Sequence, residues 1–127
     1  LTTENVDPDR VCLTGLSMGG YGTWAWIGAH PERFAAAVPI CGGGDPIGVW
    51  LSGGPRRPPL SRLPLWVFHG AKDNVVPLAE SERMIDAYRR IGNQPKLTVD
   101  PDAGHDSWSA AYANPALFDW LLQQRRR

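Results

Sequence analysis

Ser17, Asp73 and His105 have the residue types that nucleophilic acyl transfer needs, and the chain spaces them in the order Ser, Asp, His. Ser17 sits at the centre of Gly15-Leu16-Ser17-Met18-Gly19, a Gly-x-Ser-x-Gly pattern that marks a serine on a tight strand-to-helix turn. The flanking glycines carry a steric expectation: a Cβ two residues before or after the serine would collide with the neighbouring strand or helix. A serine hydroxyl attacks a carbonyl only when a base takes its proton, and that base needs an acid to orient it. Asp73 and His105 are the candidates for acid and base. His69 ends a strand-like run beside Gly70 and reads as a packed residue, and His30 reads as a helix-end residue favoured by the dipole. Asp45, Asp102 and Asp106 are rival acids. Asp106 adjoins His105 and Asp102 is close to it in sequence, so Asp45, after the second strand-like run, is the serious rival.

Short apolar runs alternate with helical segments along the chain, as parallel α/β units do. Strands are expected at Arg10–Thr14, Phe34–Ile40, Leu65–His69 and Lys96–Val99, and helices at Gly19–His30 and Leu78–Ile91. A last helix starts at Pro115, with Asn114 as its cap. Residues 42–62, rich in Gly, Pro and Arg, read as one long irregular segment. In an open α/β sheet the crevice lies beyond the carboxyl ends of the strands. Ser17 follows the first run, Asp73 the third and His105 the fourth, so all three fall on that edge.

The six tryptophans divide the same way. Trp24, Trp26, Trp66 and Trp120 fall in helix or strand runs and are expected to pack. Trp50 and Trp108 fall in loops of the active edge and are the candidates for lining a substrate pocket.

The 127 residues are expected to form a single α/β domain, with no internal repeat. A formal net charge of zero argues against nucleic acid as the main partner. The basic Arg125-Arg126-Arg127 end is expected to be solvated. No stretch approaches the roughly 20 apolar residues of a membrane span, so no membrane partner is expected. Cys12 and Cys41 would lie towards opposite ends of neighbouring parallel strands and are expected to be free thiols, which leaves the compartment open. It would be cytoplasmic if Leu1 is the native start, and secreted if a signal segment has been removed. With so few His and Cys residues, no structural zinc site is expected.

The segments Asp7-Pro8-Asp9-Arg10-Val11, Gly15 to Trp24 and Ala36 to Gly43 resemble α/β-hydrolase fold esterases. They are most similar to the carboxylesterase/phospholipase-like and predicted-peptidase groups related to dienelactone hydrolases and polyhydroxybutyrate depolymerases. Phe68-His69-Gly70-Ala71-Lys72-Asp73 and Gly104-His105-Asp106-Ser107-Trp108 are similar to the acid and histidine segments of those groups. The resemblance covers nearly the whole chain and implies Ser17 as nucleophile, Asp73 as acid and His105 as general base. It also implies the Met18 backbone N–H as an oxyanion donor, no cofactor, and a small-molecule ester as substrate.

Members of these groups are roughly twice as long. Their N-terminal strands and second oxyanion donor have no counterpart in this sequence, so the resemblance implies a truncated α/β-hydrolase of about four mostly parallel strands. One consequence is an uncovered edge on the first strand, and with it a homo-oligomer, most simply a dimer, formed through that edge or the bare helix faces. Three functional readings follow: a serine ester hydrolase for short-acyl esters, a peptidase or thioesterase using the same residues, or a weakly active fragment that serves in assembly.

Overall fold

Four apolar runs become the parallel strands β1 (Cys12–Leu16), β2 (Ala36–Ile40), β3 (Trp66–Gly70) and β4 (Lys96–Asp100), in spatial order β1-β2-β3-β4. The structure is a computed structural model that describes residues 5–126, so Leu1 and Arg127 lie outside the described residues. β2 and β3 are buried along their whole length, which explains their unbroken apolar sequence. Alternate residues feed two cores. On one face Ala37, Leu65 and Val67 meet Trp24 and Ile27 of α1 (Met18–Ala29) and Met84, Ile85 and Tyr88 of α4 (Leu78–Arg90). On the other, Val38, Ile40, Trp66 and Phe68 pack against Ala111 of α5 (Trp108–Ala113) and Leu117 of α6 (Pro115–Leu122). Each of the Val, Leu, Ile, Met and Phe side chains among them contributes about 1.5–3 kcal/mol when fully buried. This is the fold the sequence implied: a four-stranded, wholly parallel sheet with helices on both faces.

The boundaries differ in physically readable ways. β1 starts at Cys12 rather than Arg10 because Pro8–Arg10 winds a 3-10 turn capped by the Asp7 side chain. β2 starts at Ala36 rather than Phe34, after a second such turn at Pro31–Arg33. Residues 42–62 are not one irregular segment. They contain two short helices, α2 (Pro46–Trp50) and α3 (Arg57–Arg62). Asp45 caps α2 by accepting from Gly48 N–H at 3.1 Å, with Pro46 at the first helical position.

Trp24 is 2% exposed and Trp66 and Trp120 stack edge-on, but Trp26, expected to pack, is 59% exposed on the outer side of α1. Arg125 and Arg126 are exposed, as expected, and form surface ion pairs, Arg126 with Asp9 at 2.9 Å and Arg125 with Asp7 at 3.5 Å. Cys12 and Cys41 are free thiols, the second wholly buried. Among the described residues no helix is long and apolar enough to cross a membrane.

Candidate active site

Ser17 closes the turn between β1 and α1 with φ 54° and ψ −116°, a backbone conformation that L residues rarely adopt. Its N–H is held by Ile40 C=O at 2.9 Å, and its C=O accepts from Tyr21 N–H at 3.1 Å. Gly15 permits the turn: a Cβ there would lie 2.3 Å from the Gly19 carbonyl oxygen. The expectation for Gly19 is corrected, because a Cβ at that position would meet nothing within 4 Å. The second crowded point is Gly20, where α1 crosses β2 and a Cβ would lie 2.6 Å from Ile40 O.

Two further loops complete the edge. The Asp73 loop leaves β3 and the His105 loop leaves β4, and their backbones are joined by Ala71 N–H to Asp100 O and Lys72 N–H to Ala103 O, both 2.9 Å. Gly70 makes this close approach possible, since a Cβ on it would stand 2.2 Å from Gly104 O. Asp73 Oδ1 accepts from Val75 N–H at 2.9 Å and Val76 N–H at 2.8 Å. That fixes the carboxylate and aims Oδ2 at His105 Nδ1, 2.9 Å away. His105 Nε2 lies 2.8 Å from Ser17 Oγ. An ionised carboxylate only accepts, so the network assigns the imidazole proton to Nδ1 and leaves Nε2 to accept from the serine hydroxyl. Burial works to raise the Asp73 pKa, but the hydrogen bonds from His105, Val76 and Val75 outweigh it and hold the carboxyl below its usual value. The site therefore keeps a charged acid, an imidazole and a serine hydroxyl in one hydrogen-bonded line.

The rival acids are engaged elsewhere. Asp45 caps α2, Asp106 accepts from both Ser109 N–H and Ser109 Oγ, and Asp102 is exposed. Met18 opens α1, where the first amides have no partner within the helix, and its side chain is 85% exposed. Trp108 stands edge-on to His105, with ring centroids 5.5 Å apart. Trp50 is not brought to this edge. α2 docks on α4, and the Trp50 ring lies 5.2 Å from the guanidinium of Arg90, at the far end of that helix. Two residues that support the site were not singled out in the sequence. Ser81 of α4 holds His69 Nδ1 at 2.7 Å, and Val76 C=O accepts from His69 Nε2 at 2.7 Å. The sequence signal for Ser81 is the helical period that turns it inward with Met84 and Ile85, and Val76, before α4, has none.

The model of the prolyl oligopeptidase family matches residues 1–52 and 58–125. The chain belongs to the prolyl oligopeptidase family. Its sequence is 28% identical to an uncharacterized peptidase of Bacillus subtilis, YuxL, over 80% of this chain and 19% of that protein. A provisionally named carboxymethylenebutenolidase of Escherichia coli K12 is 29% identical over 92% of this chain and 47% of its own length. Among solved structures, a thermostable esterase superposes with a TM-score of 0.85 at 39% identity, over 96% of this chain and 33% of that one. The prolyl oligopeptidase family member described here thus spans from about a fifth to about half the length of these relatives. It is an α/β-hydrolase of the esterase and peptidase superfamily, in agreement with the resemblance read from its motifs.

Proposed function

We propose that the protein is a serine hydrolase that cleaves small, short-acyl carboxylic esters through Ser17, His105 and Asp73. The observation that carries this reading is the unbroken line from Ser17 Oγ to His105 Nε2 at 2.8 Å and from His105 Nδ1 to Asp73 Oδ2 at 2.9 Å. In the proposed reaction Ser17 Oγ attacks the ester carbonyl carbon as its proton passes to His105 Nε2. Asp73 keeps the imidazole oriented and stabilises the imidazolium. The carbonyl oxygen, now an oxyanion, is held by Met18 N–H at the positive end of α1. Collapse expels the alcohol with the proton from His105. Water activated by the same imidazole then releases the acid and restores the serine. Trp108 lines the acyl or alcohol side, and Trp50 has no part in the proposal. The reaction as proposed draws on no cofactor or metal.

Labelling by a fluorophosphonate tests this reading: the intact chain should react stoichiometrically and the Ser17→Ala variant should not. No labelling and no ester turnover would instead leave the assembly-module reading. Peptide bond cleavage is the second reading, favoured by the family model and by the Bacillus relative. The ratio of kcat/KM for an ester and its matched anilide separates the two.

The 127 residues are read as one domain that self-associates. Support for a dimer comes from β1, which among the described residues pairs on one side only, with β2, and from Trp26, 59% exposed beside it. Light scattering on the size-exclusion peak should give twice the chain mass at micromolar concentration, and a monomer would reject this arrangement.

A further inference from the structure

Beside His105 lies a thiol that the proposed reaction does not use. Cys41 follows β2 directly, in the left-handed region at φ 43°, and is wholly buried. Its Sγ, a carboxylate oxygen of Asp73 and an imidazole nitrogen of His105 all lie within 4.8 Å of one another. Ser107, 3% exposed, supplies the second observation. Its hydroxyl stands against the Cys41 thiol, and no nitrogen or oxygen partner holds it among the described residues. A buried hydroxyl held by nothing stronger than a thiol, beside three potential ligands, can turn to a bound group when that thiol does.

We propose that Cys41, Asp73 and His105 form a binding site for a thiophilic divalent cation of the Zn2+ or Cd2+ kind, whose occupancy shuts the active site. The donor set is a thiolate, an imidazole and a carboxylate, the ligand types that tetrahedral zinc takes. Zinc bonds of about 2.3 Å to sulfur and about 2.0–2.2 Å to nitrogen and oxygen place such donors roughly 3.3–3.7 Å apart. Asp73 Oδ2 and His105 Nδ1, at 2.9 Å, need to separate only slightly. The partly exposed His105 ring, 22% accessible, is the point of entry.

Binding releases the thiol proton of Cys41 to solvent and moves the imidazole proton of His105 from Nδ1 to Nε2, with no change in oxidation state. The thiolate and the Asp73 carboxylate then balance the two positive charges, which offsets the cost of burying the ion. Ser107 Oγ gives a water in the fourth position a hydrogen-bond partner. The metal occupies the imidazole nitrogen that Asp73 would otherwise hold, so Ser17 loses its oriented base. The binding half of this proposal stands alone, whereas the inhibitory half rests on the serine hydrolase reading.

Cadmium chloride titrated into the full chain at neutral pH tests both halves. The thiolate-to-cadmium absorption in the ultraviolet reports binding, and fluorophosphonate labelling reports the active site. One equivalent of cadmium should saturate the absorption band and suppress labelling in parallel, and a chelator should restore labelling. Cys12→Ala should keep the band and Cys41→Ala should lose it. If Cys41→Ala does not fold, His105→Gln, altered on a partly exposed side chain, serves instead. It should weaken cadmium binding by more than the roughly 10- to 100-fold that loss of an outer-shell partner costs. No band in the intact protein, or a band unchanged in Cys41→Ala or His105→Gln, overturns the site. A band with undiminished labelling overturns its closing role. If the intact protein never labels, the hydrolase reading fails by itself and the band still decides the metal site.

Discussion

His69 and His105 both approach the same oxygen of one carboxylate, at 3.4 Å and 2.9 Å from Asp73 Oδ2 respectively. Their side chains are 0% and 22% exposed. His69 lies within β3 and has spent both ring nitrogens, one on Val76 C=O and one on Ser81 Oγ. Val76 C=O can only accept, so His69 carries a proton on Nε2, while Nδ1 shares a hydrogen bond with the Ser81 hydroxyl, which also reaches Gly42 C=O at 3.4 Å. His105 rides on a loop and keeps Nε2 for Ser17. Nearness to an acid does not make an imidazole a base. A nitrogen left free towards the nucleophile and towards solvent does, and the strand-or-loop position of the residue decides whether one is left.

The contrast can be broken experimentally, and the largest effect belongs to the line through His105. Ser17→Ala or His105→Ala should lower kcat for an activated ester by about 10⁴- to 10⁶-fold, with thermal unfolding nearly unchanged. Asp73→Asn should cost about 10⁴-fold by misorienting the imidazole. If His69 could substitute as the partner of the site, that loss would shrink, and the kcat of the double variant with His69→Gln would reveal it. His69→Ala should behave in the opposite way. It leaves the buried Val76 carbonyl unpaired and the Ser81 hydroxyl only its 3.4 Å bond to Gly42 C=O, and should cost about 2 kcal/mol of stability, read by urea unfolding. Its fluorophosphonate labelling per folded molecule should stay within a few-fold of the parent. Complete loss of labelling in a well-folded His69 variant would erase the distinction.

Acid unfolding sharpens the same contrast with a smaller effect. The folded Asp73 carboxyl titrates below its unfolded value, so it contributes stability above about pH 4 and loses it as the pH falls through the folded value. Stability of Asp73→Asn, followed by urea midpoints, should fall less steeply on the acid side. The smallest expected effect lies away from the site. The Tyr88 hydroxyl is buried without a partner among the described residues, and burial pushes its pKa up. Tyr88→Phe should therefore raise stability by about 1 kcal/mol and leave labelling unchanged.

Long apolar runs and a glycine-flanked serine were readable in the chain because each is a local signal. β2 and β3 declare themselves as strands buried on both faces, and the parallel order puts Ser17, Asp73 and His105 on one edge. The short helices were harder. α2 has five residues and α3 and α5 have six, too few to show a period, and proline and glycine in residues 42–62 read as loop. Yet Asp45-Pro46 is the same cap-and-proline pair that announced α6 at Asn114-Pro115. Trp50 was misplaced for a different reason. Its direction is set by the docking of α2 on α4, a contact between segments far apart in sequence. Trp26 was misjudged because a helical tryptophan was assumed to face inward, whereas only one stripe of α1 meets the sheet. The thiol of Cys41 came to lie beside His105 through the register of β2 against its neighbours, which no single segment encodes.

The main-chain seams between the Asp73 and His105 loops have a consequence for how this protein can change over generations. Ala71, Lys72, Asp100 and Ala103 meet through amide and carbonyl groups that almost any residue supplies equally well. Gly70 is the exception, because no side chain fits under Gly104 O. Substitutions can accumulate at residues 71, 72 and 103 without shifting the separation of the acid and the imidazole. The lining of the crevice is thereby free to diversify towards new substrates while the chemistry beneath it stays in place.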